Sequence, residues 1–180
     1  MELKQNVVLI GFMGTGKSTV GKRLAKLLNW NFIDTDVAIE ELTGLSVAEL
    51  FRLHGEKRFR SEEALLVKRL SEERGCIIAT GGGTVLNPEN WRLLAGHGIL
   101  VQLFATVETV LERIGSRPNS RPLLKGSREA IEALWQERQE IYAKADLIID
   151  TTDKDIDEVA GEILARLEGK VDGSFELAKD

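Results

Sequence analysis

The sequence is poor in the features that mark secreted and membrane proteins. Its 180 residues include one cysteine, Cys76, so neither an internal disulfide nor a multi-cysteine metal site can form. Cys76 lies in the apolar run Cys76–Ala79, which predicts a buried thiol in the core. There is no apolar run of about 18 residues and no basic leader followed by an apolar stretch. We therefore expect a cytoplasmic protein without membrane contact.

The sequence has no excess of positive charge and only three prolines. The formal net charge of −5 argues against a nucleic-acid-binding protein, because such domains are usually basic. Two of the three prolines, Pro118 and Pro122, fall within residues 115–126, a polar and basic stretch. A loop of this length inside a compact domain is usually functional or disordered. The length predicts one domain over residues 1–168, with a frayed tail over 169–180, and we expect a monomer.

The sequence does contain a glycine-rich phosphate-binding pattern, Gly11–Thr19. It fits G-x-x-x-x-G-K-[ST] at every fixed position and lies between an apolar run, Val7–Ile10, and a segment with helical spacing. Glycines let successive N–H groups curl around a phosphate, and the next helix adds its own free N–H groups. Lys17 should reach the β- and γ-phosphates and the Ser18 hydroxyl should bind Mg²⁺. The predicted ATP-binding residues are Gly14, Thr15, Gly16, Lys17, Ser18 and Thr19.

Short apolar runs alternate with helical segments along the whole chain. Strands are predicted over residues 7–10, 31–34, 76–79, 99–103 and 147–149. Helices are predicted over residues 20–28, 36–43, 46–54, 56–73, 87–94, 106–114, 127–144 and 156–167. This order predicts a three-layer α/β/α fold with a five-stranded parallel sheet. Ligands then bind beyond the carboxyl ends of the strands.

Two acidic residues, Asp34 and Asp36, come at the end of the second predicted strand. The third strand ends in glycines instead of an acid, so Asp34 is the candidate carboxylate for Mg²⁺. If the chain stays extended after Asp34, both carboxylates share a face, and Asp36 could serve an acceptor hydroxyl. The alternative is that Asp36 only caps the following helix.

Three consecutive glycines, Gly81–Gly83, follow the third strand. Glycine costs about 1 kcal/mol relative to alanine in a regular element, so we interpret them as a place where a ligand approaches the backbone. A tight turn is the alternative. Arg60 lies on a long predicted helix, and Glu63 falls three residues later, where it can orient the guanidinium. Composition alone would leave Arg60 and Arg138 on a solvated surface.

Taken together, these segments resemble the shikimate kinase family. The resemblance covers about residues 5–168, and the combination of segments is far more specific than the P-loop alone. The segments, in family order, are Gly11–Thr19, Asp34-Thr35-Asp36, Phe59-Arg60 with Glu63, Gly81–Gly83, Arg121-Pro122-Leu123-Leu124, and Arg138 followed by Tyr142. The resemblance implies a P-loop kinase fold with a helical substrate-binding region at about residues 35–75 and a lid at about 115–126.

The resemblance also implies roles on the acceptor side. Asp36 would contact the hydroxyl that is phosphorylated and serve as its base, while Asp34 stands behind Mg²⁺. Arg60 and Arg138 would hold the carboxylate of shikimate, which matches the geometry of a guanidinium fork. Gly82 and Gly83 would be backbone donors to the substrate, with Gly81 beside them and Phe59 against the substrate ring.

Further roles fall on the lid and the adenine side. Arg121 would swing over the transferring phosphate. An arginine that covers adenine is also expected; Arg113 and Arg117 compete for this role, and we favour Arg117. The late adenine loop should lie near residues 151–154, although this segment matches only loosely.

The implied reaction is ATP-dependent phosphorylation of the 3-hydroxyl of shikimate, with Mg²⁺, in chorismate and aromatic amino-acid biosynthesis. A gluconate or nucleoside monophosphate kinase would share the P-loop but would not explain Phe59-Arg60 together with the three glycines. A nucleotide-dependent regulator without an acceptor is a further alternative. A GTPase would carry N-K-x-D and D-x-x-G, and the sequence contains neither.

Overall fold

The computed structural model describes residues 6–115 and 127–170, which form five strands and seven α-helices. The strands are β1 (Asn6–Ile10), β2 (Asn31–Asp34), β3 (Cys76–Ala79), β4 (Gly98–Phe104) and β5 (Leu147–Asp150). The helices are α1 (Lys17–Leu28), α2 (Thr35–Thr43), α3 (Val47–Leu70), α4 (Pro88–His97), α5 (Val107–Gly115), α6 (Arg128–Tyr142) and α7 (Ile156–Lys170). A 3-10 turn spans Thr84–Leu86. The predicted lid after Gly115 lies outside the described residues. The predicted frayed tail began at residue 169, but residues 169 and 170 belong to α7, and residues 171–180 lie outside the described residues.

The strands form one parallel sheet in the order β2-β3-β1-β4-β5. β1 lies at the centre and is buried along its whole length, which explains its continuous apolar run. Successive side chains point to opposite faces of a strand. Accordingly, Val7 and Leu9 pack in one core cluster, and Val8 and Ile10 pack in the other. The five-stranded parallel sheet predicted from the sequence is confirmed.

Helices cover both faces of this sheet. One core cluster joins the sheet to α1 and α7 through residues such as Leu24 and Ile163. The other joins it to α2, α3 and α4 through Ile39, Val67 and Leu94. The molecule therefore has the predicted three-layer α/β/α architecture. Within residues 6–115 and 127–170, no helix combines the length and the apolar character needed to cross a lipid bilayer.

The segment Val47–Leu70, labelled α3, consists of two helical stretches that meet at Gly55, so the two helices predicted from the sequence are confirmed. The capping box at Ser46 starts it as predicted, but the helix ends at Leu70, three residues before the predicted end. The break falls at Gly55, where φ is 78° and ψ is 170°. Only glycine adopts this conformation readily. The kink lies five residues before Arg60, so it sets the direction of the segment that carries this side chain.

Candidate active site

The phosphate loop follows β1 and contains glycines with a positive φ. At Gly11 φ is 139°, and a Cβ there would lie 2.4 Å from the carbonyl oxygen of Leu103. At Gly14 and Gly16 φ is 78° and 91°, which is the left-handed region that other residues rarely adopt. Gly16 caps α1, so the free N–H groups of the first helical turn face the same cleft as the loop.

Lys17 is buried at the start of α1. Its Nζ donates to the carbonyl oxygens of Gly11 and Phe12, each at 2.8 Å. The Thr15 hydroxyl also donates to the carbonyl oxygen of Phe12, at 2.8 Å. The loop thus holds the ammonium in place through its own backbone. Thr19 is the third residue of α1, and its side chain is exposed.

Asp34 links the second strand to the phosphate loop. Its Oδ2 accepts a hydrogen bond of 2.5 Å from the Ser18 hydroxyl. Its Oδ1 accepts from the backbone N–H groups of Asp36 and Val37, at 3.1 and 3.4 Å, so Asp34 is the N-cap of α2. The condition that the chain stays extended past Asp34 is not met, because α2 begins at Thr35, one residue before the predicted helix. The alternative that Asp36 is the cap is also wrong, since Asp34 fills that position.

The Ser18–Asp34 pair has the donor chemistry that Mg²⁺ requires. Mg²⁺ prefers oxygen ligands and binds through one or two protein oxygens together with phosphates and waters. A hydroxyl and a carboxylate in contact at the edge of the phosphate loop fit this pattern. In the described part of the chain, no group of three His, Cys, Asp or Glu side chains forms a more complete metal site.

The three glycines after β3 lie against three side chains that the sequence predicts for the site. A Cβ on Gly81 would lie 2.8 Å from Oδ1 of Asp36. A Cβ on Gly82 would lie 3.2 Å from Nη1 of Arg138. A Cβ on Gly83 would lie 2.6 Å from Nη2 of Arg60. Any side chain at these positions would therefore displace one of these three groups. The turn brings together an acid and two arginines from α2, α3 and α6.

Arg60 is held by two carboxylates of its own helix. Its Nη1 donates to Glu63 at 2.9 Å, as the three-residue spacing predicts. Its Nε and Nη2 donate to Oε1 of Glu56, at 3.3 and 3.2 Å. Burial alone would lower the pKa of Arg60, but Glu63 and Glu56 outweigh burial and raise the pKa overall. Glu63 is buried and also accepts from the Thr84 hydroxyl at 2.5 Å, so it ties Arg60 to the end of the glycine turn.

Arg138 lies near the end of α6 and is only 7% exposed. Its Nε is buried and has no hydrogen-bond partner among the described residues. The guanidinium carbon lies 5.9 Å from the centre of the Phe12 ring, which places the arginine beside the phosphate loop. One turn further on, the Tyr142 hydroxyl donates to the carbonyl oxygen of Gly82 at 2.6 Å. Burial raises the pKa of Tyr142, and the adjacent Arg138 offsets part of this rise.

Phe59 lies in the core beneath Arg60. It is 4% exposed, and its ring centre is 4.9 Å from that of Phe51. The Arg60 guanidinium carbon lies 5.3 Å from the centre of the Phe59 ring. The aromatic ring therefore supports Arg60 from below, which is a contact that the sequence did not predict.

A cavity of about 540 Å³ contains the predicted ATP-binding residues, and we call it the nucleotide pocket. Its walls include Gly14–Thr19, Asp34, Asp36 and Gly81, together with Arg113, Thr151 and Lys154. Asp36 and Gly81 line this pocket, and Arg138 and Arg60 lie next to it, against Gly82 and Gly83. A separate groove of about 640 Å³ between α2 and α3 contains none of the predicted site residues.

Arg113 connects the phosphate loop to the loop after β5. It donates to the carbonyl oxygens of Gly14 and Thr151, at 3.3 and 2.7 Å. Of the two arginines considered for adenine, Arg113 therefore lines the nucleotide pocket, whereas Arg117 lies outside the described residues. Arg121 lies outside them as well.

Sequence reasoning missed Thr35, Thr84 and Glu56, and gave Tyr142 no role. The Thr35 hydroxyl accepts from the backbone N–H of Gly81 at 2.9 Å, so the residue between the two aspartates positions the glycine turn. Glu56 precedes Arg60 by four residues, a helical spacing that could have revealed it. Thr35 and Thr84 carry no comparable signal, because their partners are far away in the sequence.

Known proteins resemble this chain in sequence and in fold. A family model described as shikimate kinase matches residues 13–168. A shikimate kinase of Pelotomaculum thermopropionicum is 48% identical over 161 residues, covering 89% of this chain and 94% of the relative. A shikimate kinase of Geobacter metallireducens is 47% identical over 168 residues, covering 92% and 93%.

Solved structures agree. A shikimate kinase of Acinetobacter baumannii, solved in complex with shikimate, has a TM-score of 0.88 and 34% identity, covering 94% of this chain and 97% of that chain. A shikimate kinase of Aquifex aeolicus has a TM-score of 0.82 and 40% identity, covering 91% and 96%. A gluconokinase of Sinorhizobium meliloti, at 18% identity and a TM-score of 0.63, shares only the fold. The chain is a P-loop kinase and belongs to the shikimate kinase family.

Proposed function

We propose that this protein transfers the γ-phosphate of ATP to the 3-hydroxyl of shikimate, giving shikimate 3-phosphate and ADP, as a step of chorismate and aromatic amino-acid biosynthesis. The observation that carries the proposal is the glycine turn Gly81–Gly83. It lies against Asp36, Arg138 and Arg60 at the border of the nucleotide pocket. An acceptor that carries a hydroxyl and a carboxylate suits an acid and two arginines in this arrangement.

The donor side binds the triphosphate through the backbone. The N–H groups of Gly14–Thr19 and the start of α1 supply hydrogen bonds and a positive dipole end. Lys17 already lies among the loop carbonyls and can turn its ammonium towards the phosphates. Ser18 and Asp34 would hold Mg²⁺, which neutralises charge on the phosphates when bound.

The acceptor side binds shikimate through side chains. Arg138, whose Nε lacks a described partner, and Arg60 would receive the carboxylate. The N–H groups of Gly82 and Gly83 would donate hydrogen bonds to the substrate, since the N–H of Gly81 already donates to Thr35. Phe59 supports Arg60 and would pack beside the substrate ring. Together these contacts would hold the 3-hydroxyl beside Asp36, so that its oxygen is already oriented towards the γ-phosphate when the reaction begins.

The transfer exchanges one phosphorus–oxygen bond for another. The 3-hydroxyl oxygen attacks the γ-phosphorus, the bond to the oxygen that bridges the β- and γ-phosphates breaks, and ADP leaves. Asp36 accepts the hydroxyl proton. Positioning and charge neutralisation contribute most in such reactions, because the transition state is loose. We further propose that Arg121 closes over the transferring phosphate, that Arg117 covers adenine, and that residues 115–126 form the lid.

The finer organisation is also part of the proposal. Residues 1–168 act as one domain, which contains the substrate-binding region at about 35–75 and is followed by a C-terminal tail. We propose that the enzyme acts as a monomer. Light scattering of the purified protein tests this state, and a dimer mass would contradict it. We place the enzyme in the cytoplasm, where ATP is available.

ADP release from Mg-ATP tests the reaction directly. We expect turnover with shikimate and none with gluconate or nucleoside monophosphates. Release that does not depend on shikimate would point to an ATPase or a regulator. Turnover with one of the other acceptors would assign the chain to a different small-molecule kinase.

The variant Asp36→Asn tests the proposed base. We expect kcat to fall by about 10² to 10⁴, because the hydroxyl proton loses its acceptor, while ATP binding is kept. Asp157→Asn is the matched control, since Asp157 also lies in the first turn of a helix but is exposed and outside the site. Unchanged turnover of Asp36→Asn would remove Asp36 from the mechanism.

A further inference from the structure

The carboxylate-binding edge of Arg60 is already filled by a carboxylate of the protein. A guanidinium binds a carboxylate most strongly along an edge that offers two parallel N–H groups. In Arg60 the Nε and Nη2 edge points to Oε1 of Glu56, at 3.3 and 3.2 Å. The remaining Nη1 points to Glu63 at 2.9 Å. A substrate carboxylate that used the Nε and Nη2 edge would have to replace Glu56.

The two glutamates hold Arg60 in different ways. The Glu63 side chain is 1% exposed and also accepts from Thr84, so it is locked into the structure. The Glu56 side chain is 61% exposed and lies at the beginning of the helical segment after Gly55. An ion pair this exposed contributes little to stability, so it can open at small cost. Glu63 therefore positions Arg60, while Glu56 can leave it.

We propose that Glu56 competes with the substrate for Arg60: it occupies the Nε and Nη2 edge until the substrate carboxylate displaces it. This inference rests on the proposed function. An acidic acceptor exchanges one carboxylate for another on Arg60 and gains Arg138 in addition. An acceptor without a carboxylate leaves the Glu56 pair closed and gains neither contact. A small anion that cannot reach Arg138 replaces Glu56 without any further gain. The glutamate thus lowers the affinity of any ligand whose carboxylate uses this edge, and Arg138 supplies the additional contact that the substrate gains.

An opposite role for Glu56 predicts the opposite result. If Glu56 only orients Arg60, its removal weakens shikimate binding and raises KM. If Glu56 competes with the substrate, its removal frees the edge and lowers KM. Both roles concern the same hydrogen bonds, so the sign of the change in KM separates them.

The test compares Glu56→Gln with Glu89→Gln. Both variants remove one negative charge from an exposed glutamate that pairs with an arginine on its own helix, but Glu89 and its partner Arg92 lie on α4, outside the site. Each variant and the wild type are assayed with shikimate and with its methyl ester, at saturating ATP, and KM for ATP is measured alongside.

We expect Glu56→Gln to lower KM for shikimate about two- to fivefold, the scale of a partly exposed ion pair. KM for the methyl ester and KM for ATP should change less than the KM for shikimate, because neither ligand brings a carboxylate to Arg60. Glu89→Gln should leave all three values as in the wild type. An unchanged or higher KM for shikimate in Glu56→Gln overturns the inference, and so does an equal fall for the ester. Failure of the wild type to phosphorylate shikimate would instead refute the proposed function.

Discussion

The two sides of the active-site cleft are built in different ways. The donor side is one continuous stretch, Gly11–Thr19, in which glycines with a positive φ and backbone carbonyls do most of the positioning. The acceptor side is assembled from Asp36, Arg60, Gly81–Gly83 and Arg138, which come from four separate parts of the chain. The donor side depends on backbone geometry, and the acceptor side depends on side chains that meet only in the folded protein. Substitutions on the two sides should therefore fail in different ways.

On the donor side, the largest effect is expected at Lys17, whose ammonium lies among the carbonyl groups of the phosphate loop. In Lys17→Ala, kcat with any acceptor should fall about 10²- to 10³-fold, the usual cost of removing one charge-stabilising donor in a phosphoryl or acyl transfer site. KM for shikimate should change little, because the acceptor side is untouched. Steady-state kinetics measures both constants.

Lys26→Ala is the control for the Lys17 variant. Lys26 lies on the same helix but is exposed and away from the phosphate loop. The Lys26→Ala enzyme should have the same kcat and KM as the wild type. A Lys17→Ala enzyme with near-normal kcat would contradict the assignment of the phosphate loop. A large rise in its KM for shikimate would show that the two sides are not separate.

The variant Gly11→Ala should damage folding before it damages catalysis. A Cβ at this position would lie 2.4 Å from a backbone oxygen of β4, and φ is 139°. A backbone atom in a central strand cannot move aside cheaply, so strain and overpacking add up. We expect the free energy of unfolding to fall by about 3 to 5 kcal/mol. Urea unfolding measures it, and a loss below about 1 kcal/mol would show that the loop is more adaptable than it appears.

The variant Gly83→Ala is the acceptor-side counterpart. Its Cβ would lie 2.6 Å from Nη2 of Arg60, which is the far end of a flexible side chain, and φ at Gly83 is an ordinary −95°. Arg60 should move aside, so stability should change by less than about 1 kcal/mol. KM for shikimate should rise about tenfold, because Arg60, one of the two arginines proposed to bind the substrate carboxylate, is displaced. A loss of stability as large as that of Gly11→Ala, with KM unchanged, would refute the contrast between the two sides.

The contrast also explains what the sequence could predict. The donor side is local, so a nine-residue pattern between a strand and a helix identifies it without any tertiary information. The strands were predictable as well, because a buried parallel sheet needs short continuous apolar runs. The place of Arg138 in the site could not be predicted from the local sequence. Helix α6 has charged residues on several sides, and nothing in its own sequence shows that its C-terminal end packs against the glycine turn. Only the resemblance to a family singled Arg138 out.

Asp34 and Asp36 show a second limit. Their spacing suggested an extended chain with two carboxylates on one face, but capping chemistry decided the local structure. An aspartate at the end of a strand can accept two N–H groups of a new helix, and Asp34 does so. The two acids still reach the nucleotide pocket, because the first turn of α2 lies at the carboxyl edge of the sheet. The sequence predicted which residues meet, though for a wrong geometric reason.

The smallest expected effect concerns Tyr142, through which the acceptor side is linked to the backbone of the glycine turn. This residue is the only tyrosine of the chain, is fully buried, and donates to Gly82. Burial raises its pKa, with Arg138 offsetting part of the rise. The neutral hydroxyl is thus favoured in the folded state. Its contribution to stability is fully present below the unfolded pKa of about 10 and is lost as the pH rises through the higher folded value.

Tyrosinate absorbance measures this titration without interference from another tyrosine. We expect the midpoint of the native protein to lie above that of the chain unfolded in guanidinium chloride, which should be about 10. The variant Tyr142→Phe should show no tyrosinate signal, and its stability should fall less steeply with pH above about 10. It should also raise KM for shikimate, because the Gly82 carbonyl loses its donor and the turn beside Arg138 loosens. A native midpoint at or below the unfolded one would mean that the hydroxyl reaches solvent, and the glycine turn would then lack this buried anchor.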